Sequence, residues 1–174
     1  MNFVVVYSSR TGNTKMVAEA VTSVLPKGTT CLPVTEVKPE MIQAADCVFV
    51  GYWVDRGLPD QATKNFLAQL TNQHAALFAT LGADPHSQHA VDSLAKGAEC
   101  LQNPESVVNR FICQGKIDPK LIEQMYKMFP AGHPHGRTPE RDALHVEAAK
   151  HPNEADLDAA RDFARETLRR LGAV

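Results

Sequence analysis

Ser9-Arg10-Thr11-Gly12-Asn13-Thr14 is the stretch that decides how this chain folds. It stands between an apolar, β-branched run, Phe3 to Tyr7, and a segment of helical period with Val17, Val21 and Val24 on one face. A strand that enters a helix through such a turn aims backbone N–H groups and the positive helix end at one point, which suits a phosphate. Gly12 lets the backbone turn tightly and approach a ligand closely. Hydroxyls at Ser9, Thr11 and Thr14, with the Asn13 amide, add side-chain donors, although the same residue types also cap ordinary helices. The other common phosphate loops, GxxxxGK[ST] and GxGxxG, are both absent. Without that lysine, nucleoside triphosphate chemistry is disfavoured.

Outward from this turn, strand-like runs alternate with helical ones. Strands are expected at Thr29 to Val34, Cys47 to Gly51, Ala75 to Leu81 and Val107 to Cys113. The Cys47 run is apolar throughout, as in a strand covered on both faces. A helix starting at Asp60 buries Phe66, Leu67 and Leu70, and another carries Val91, Leu94, Ala95, Ala98 and Leu101 inward. Such alternation predicts an α/β fold, a three-layer αβα, doubly wound architecture around a five-stranded parallel sheet. The remainder departs from it. Asp118-Pro119 starts a helix with Leu121, Ile122, Met125, Met128 and Phe129 on one face, and residues 130–139 form a turn-rich loop. A short helix is expected from Pro139 to Ala149, capped by Thr138. A closing helix over about 154–171 follows, capped by Asn153 and ended by Gly172. Residues 116–152 thus form a helical insertion within one domain spanning 1–174.

Composition narrows the function. A chain of 174 residues is long enough to bury a core without staples. Cys31, Cys47, Cys100 and Cys113 are isolated and form no disulfide or metal pattern, so inert thiols are expected. A net charge of −2 leaves no basic footprint for nucleic acid. The chain enters a strand without a basic leader and contains no run of about 18 apolar residues, so a cytoplasmic location away from membranes is expected. His133, His135 and His145 lack a matching carboxylate pattern, and no metal is expected there. Ser8 and Ser9 occupy the place where a receiver domain needs an acidic pair.

A second informative stretch is Gly51-Tyr52-Trp53-Val54-Asp55-Arg56-Gly57. An aromatic pair closing an apolar strand is placed to stack on a flat ring, or to cover the sheet edge. Open parallel sheets bind ligands beyond the carboxyl ends of their strands, at the switch point of the strand order.

Tyr7 to Thr14, followed by Val17 and Ala20, resembles the phosphate loop of the flavodoxin family, whose pattern is Ser/Thr-x-Thr-Gly-x-Thr. The resemblance implies a sheet of order 2-1-3-4-5 and an FMN cofactor whose 5′-phosphate rests on Ser9, Arg10, Thr11, Gly12, Asn13 and Thr14. It further implies that Trp53 covers the inner flavin face, with Tyr52, Val54 and Asp55 beside it. Leu81, Gly82, Ala83, Asp84 and His86 would then meet the other face and the pyrimidine edge. Four departures stand out. Arg10 replaces a small residue, the third loop has no tyrosine and only His86 as a ring, Val54 follows the tryptophan where glycine is common, and the charge is near neutral. By resemblance the protein carries electrons from a flavin or NAD(P)H reductase to an acceptor oxidoreductase. An NAD(P)H-dependent flavin or quinone reductase on the same fold, and a binding module without FMN, are the alternatives. The insertion is similar to that of small bacterial flavodoxin-like proteins, some associated with bilirubin reduction.

Overall fold

The computed structural model describes residues 1–130, 132–133 and 136–173. In chain order the elements are β1 (Phe3–Tyr7), α1 (Asn13–Ser23), β2 (Thr30–Pro33), α2 (Pro39–Gln43), β3 (Cys47–Asp55), β4 (Leu58–Pro59) and α3 (Gln61–Leu67). They continue with β5 (His74–Leu81), α4 (Gln88–Glu99), β6 (Val107–Gln114), α5 (Pro119–Met128), α6 (Pro139–Ala148) and α7 (Glu154–Arg170). Five strands pair in parallel in the order β2-β1-β3-β5-β6, which is the expected 2-1-3-4-5 path once the small extra strand is set aside.

Side-chain alternation along these strands builds two cores. Phe3, Val5, Phe49 and Phe78 face α1 and α7, where they meet Val17, Val21, Ala164 and Leu168. Phe163 of α7 sits at the centre of this layer, edge-on to Phe49 at 5.9 Å and stacked on Phe111 at 5.7 Å. On the opposite face Val4, Val6, Val48, Val50, Tyr52 and Leu77 pack with Leu67, Leu70, Ala98 and Leu101. The caps fall where the composition places them: Asp118, Thr138 and Asn153 accept from Lys120, Arg141 and Asp156 N–H groups, the last within a capping box.

Three details differ from the sequence expectation. First, β3 does not end at Gly51 but runs to Asp55, then pairs back on β4 in an antiparallel hairpin, Val54 with Pro59 and Asp55 with Leu58. Arg56 and Gly57 have φ of 51° and 79°, the two positive values that a tight primed turn needs. Second, the connection from β2 to β3, which the sequence reads only as a polar segment to Ala45, holds a 3₁₀ turn and a short helix, α2. Third, Val91 on α4 is exposed rather than buried.

Gly51 is fixed by its neighbour across the ladder, Phe78, whose ring a Cβ at this position would strike. Gly51→Ala is expected to cost about 1–3 kcal/mol, seen as a lower urea midpoint with an unchanged m-value.

Candidate functional site

The carboxyl ends of β1, β3, β5 and β6 deliver four segments to one crevice, and each owes its shape to a local constraint. After β1, the Ser8 N–H donates to Gly51 O at 2.9 Å and Ser8 Oγ to the buried Asp60 carboxylate at 2.9 Å, so the loop starts from a fixed point. Gly12, at φ 93°, is the left-handed residue that turns the chain into α1, and its Cα faces open space. The first-turn amides of a helix have no partner within it. Ser9 Oγ accepts from Gly12 N–H at 3.1 Å and Lys15 N–H at 3.3 Å, marking the point on which the loop amides converge. Arg10 and Thr11 are exposed at the rim. The Thr14 side chain lies elsewhere. It is buried and hydrogen-bonded to Thr80 Oγ1 at 2.9 Å, pinning α1 to β5. Its hydroxyl is therefore no phosphate donor, and only its backbone faces the loop.

The extension of β3 separates the aromatic pair. Successive residues of a strand point to opposite faces, so Tyr52 and Trp53 cannot share a surface. Tyr52 is fully buried against α4, with its hydroxyl donating to Ser93 O at 3.3 Å and Gly97 leaving room for the ring. The expected place of Tyr52 beside a flavin is thus corrected: its side chain belongs to the core. Trp53 is half-buried and lines the crevice with Val54, Asp55 and Arg56. Val54 is held in the hairpin ladder, so the backbone after Trp53 is committed to an extended form.

The third loop contributes less than the sequence implied. Leu81 and Gly82 line the crevice, but Ala83, Asp84 and His86 do not. His86 is exposed, its N–H donating to Asp84 Oδ1 at 2.8 Å in a local turn that leads to the Ser87 cap of α4. The second wall comes instead from the insertion. Gln114 Nε2 donates to Gly82 O at 3.1 Å, and Gly115 N–H to Leu81 O at 2.8 Å, carrying β6 over the end of β5. Ile117 packs on Gly82 so closely that a Cβ there would strike it. From that anchor α5 turns Leu121, Met125 and Met128 toward the crevice, with Phe129 following. The apolar period of α5 was legible in the sequence, and its place after the last strand on the ligand edge suggested a cover; the non-local contact of Ile117 with Gly82 that seats it was not.

One chain of bonds joins both walls. Asn13 Nδ2 donates to Lys116 O at 2.8 Å and to Thr11 Oγ1 at 3.1 Å, and Gly115 fits because it has no side chain against Asn13. Lys116 N–H in turn donates to His151 O at 2.9 Å, where the insertion returns to α7. The enclosed cleft measures about 790 Å³, within the ordinary range for small-molecule sites. Arg10, Arg56 and Lys116 line it against Asp55 and Asp118, with apolar surface from Trp53, Leu81 and α5. Arg10 places its guanidinium 5.6 Å from the Trp53 ring centroid.

A family model for the flavodoxin domain matches residues 4–165. The chain belongs to the flavodoxin domain family. Two curated relatives, both called flavodoxin-like domain-containing protein BilS, are each 30% identical to it. The one from Clostridioides difficile strain CD3 aligns over 100% of both chains. That from Clostridium symbiosum aligns over 94% of both. Among solved structures, a flavodoxin from the domain Archaea superposes with a TM-score of 0.60 at 16% identity, covering 99% of both chains. Oxidised flavodoxin 2 from Bacillus cereus gives 0.60 at 14% identity, covering 98% of this chain and 99% of that one.

Against this flavodoxin frame, the crevice lies at the family's strand switch between β1 and β3, where an FMN phosphate and ring fit the residues present. The open α1 terminus offers amides to an anion, and Trp53 offers a flat face across the gap. Burial pushes the Cys47 and Cys113 thiols up to about 12, and it also raises Cys31 and Cys100, so no thiol stands ready as a nucleophile. Among the described residues no helix is long and apolar enough to cross a membrane, and no group of three His, Cys, Asp or Glu side chains is arranged to hold a metal ion. His133 stacks on Phe129 at 4.6 Å and His145 meets the Tyr126 hydroxyl at 3.2 Å, while His135 lies outside the described residues.

His151 gives the site's frame a pH dependence. Its Nδ1 lies 2.6 Å from Asp156 and its Nε2 3.4 Å from Glu147. The Asp156 contact raises its pKa above the usual 6.5, with partial burial opposing and Glu147 assisting. A raised histidine contributes stability that is complete below the unfolded pKa and lost as pH rises through the folded one. His151→Ala is therefore expected to lower the urea midpoint more at about pH 5.5 than at about pH 9.

Proposed function

We propose that this flavodoxin-domain protein binds FMN in the crevice and passes electrons to a partner oxidoreductase, receiving them from a flavin or NAD(P)H reductase. The observation that carries the reading is the pairing, across one cleft, of an anion-directed helix terminus with the half-buried face of Trp53. FMN, when bound, supplies one- and two-electron redox chemistry; everything else is done by the chain. Thr11 and the backbone amides of the first turn of α1, that of Asn13 included, hold the phosphate, while both side-chain N–H groups of Asn13 stay with Lys116 O and Thr11 Oγ1. Trp53 orients the ring, and a stacked indole in a poorly hydrated cleft disfavours added negative charge on it. Leu121 and Met125 on α5 exclude water from the opposite side, the task that His86 does not perform. The hairpin holding Val54 keeps the backbone beside the ring from turning, so electronic tuning falls to the side chains that line the cleft.

Binding is read from the fluorescence of the apoprotein's one tryptophan and of the flavin. FMN is expected to bind tightly with both signals quenched, and riboflavin much more weakly. Thr11→Ala should weaken FMN by roughly 1 kcal/mol and leave riboflavin unchanged, whereas Trp53→Ala should weaken both. Equal losses for both flavins in Thr11→Ala would overturn the phosphate assignment. Anaerobic NADPH is expected to leave the bound flavin oxidised until a reductase is added; direct bleaching would make the protein a reductase itself.

A further inference from the structure

Arg10 belongs to the phosphate-directed loop, yet its guanidinium rests on Trp53, the ring-directed residue on the far side of the cleft, 5.6 Å from the centroid. Both residues line the same cleft. Several arginines in the protein hold carboxylates, Arg137 with Asp142, Arg161 with Glu154 and Asp158, Arg165 with Asp162, Arg169 and Arg170 with Glu166, while Arg56 on the same cleft has no ion pair among the described residues. Arg10 likewise has no carboxylate within ion-pair distance among the described residues and is exposed. A cation stacked on indole at an exposed site is held weakly, and a phosphate dianion offers the same guanidinium a stronger, two-pronged contact.

We propose that Arg10 is a displaceable cover on Trp53, drawn off the ring by a phosphate monoester, so that filling the phosphate site uncovers the stacking face. This rests on the FMN reading and goes beyond it. A flavin with a phosphate supplies the group that removes the cover. A flavin without one must displace Arg10 and leave it without a partner. Selectivity for the phosphorylated ligand then exceeds what the phosphate contacts alone provide, because the cover also penalises its competitor. Arg10 acts here as a positioning residue that links two subsites through one side chain.

The test uses the full chain and its Arg10→Ala variant with three probes: FMN, riboflavin and inorganic phosphate. The variant should bind FMN roughly tenfold more weakly, having lost a charge-assisted bond. It should bind riboflavin about two- to fivefold more tightly, the cation–π contact having gone. In the unaltered protein, inorganic phosphate should shift the Trp53 emission and raise riboflavin affinity by about the same two- to fivefold factor. In the variant it should do neither. FMN binding combined with unchanged or weakened riboflavin binding in Arg10→Ala, or with no effect of phosphate on riboflavin, would overturn the cover while leaving the FMN site standing. Failure of both flavins to bind either form would instead overturn the FMN reading, and the cover with it.

Discussion

The alternation of β3 past Gly51 governs the rest of the site. Because the strand stays extended to Asp55, Tyr52 is committed to the α4 face and Trp53 to the crevice, and neither can exchange places without a register slip. Each consequence is then locked by a glycine. Gly51 lets Phe78 pass beneath, and Gly97 gives the Tyr52 ring its space on α4. The ordinary packing rules of a parallel sheet thus select one aromatic out of two for the ligand side. The hairpin through Arg56 and Gly57 holds that choice in place by returning the chain to Asp60, whose buried carboxylate holds Ser8 and caps α3.

The insertion is tied to the site by a similar logic. A third loop without a large side chain leaves one wall of the crevice open, and Gly82 turns this into an advantage by admitting Ile117. Once Ile117 is seated, α5 has only one side to present its apolar stripe. That stripe stays partly exposed because it faces a cleft rather than a core. The price of building a wall from a late segment is that the wall must be fastened. The Asn13–Lys116–His151 sequence of bonds does so with a single side-chain amide and otherwise backbone groups, which cost little side-chain entropy. Titration of His151 acts at the far end of this fastening, where α7 begins.

Much of this was legible in the sequence, for definite reasons. Parallel strands covered on both faces read as apolar runs, and caps such as Asp60, Asp118, Thr138 and Asn153 announce helices locally. The Gly12 turn follows from backbone freedom, and the strand order comes from the resemblance to the flavodoxin family. Local pattern failed where long-range contacts decide. Nothing near Tyr52 distinguishes it from Trp53 unless the strand's length is known, and that length depends on pairing with Leu58 and Pro59. Thr14 reads as one more loop hydroxyl until Thr80, sixty-six residues away, claims it. His86 reads as a ring at the right address, yet a turn closed by Asp84 keeps it off the crevice wall.

The placement of Arg10 shows why such a site is poorly described as a sum of contacts. In the proposed site, the loop directed at an anion and the indole directed at a ring follow different strands, and their contributions would add if nothing touched both. A single exposed guanidinium reaching from one to the other removes that independence. It also reconciles a positive side chain beside a flavin with a domain of net charge −2. Weak overall charge provides little long-range steering, so discrimination must come from short-range contacts inside the cleft. A cation that must choose between a π-face and a phosphate is the most economical short-range device the loop could carry. On the proposed reading, it would give this member of the flavodoxin family a local means of preferring a phosphorylated flavin.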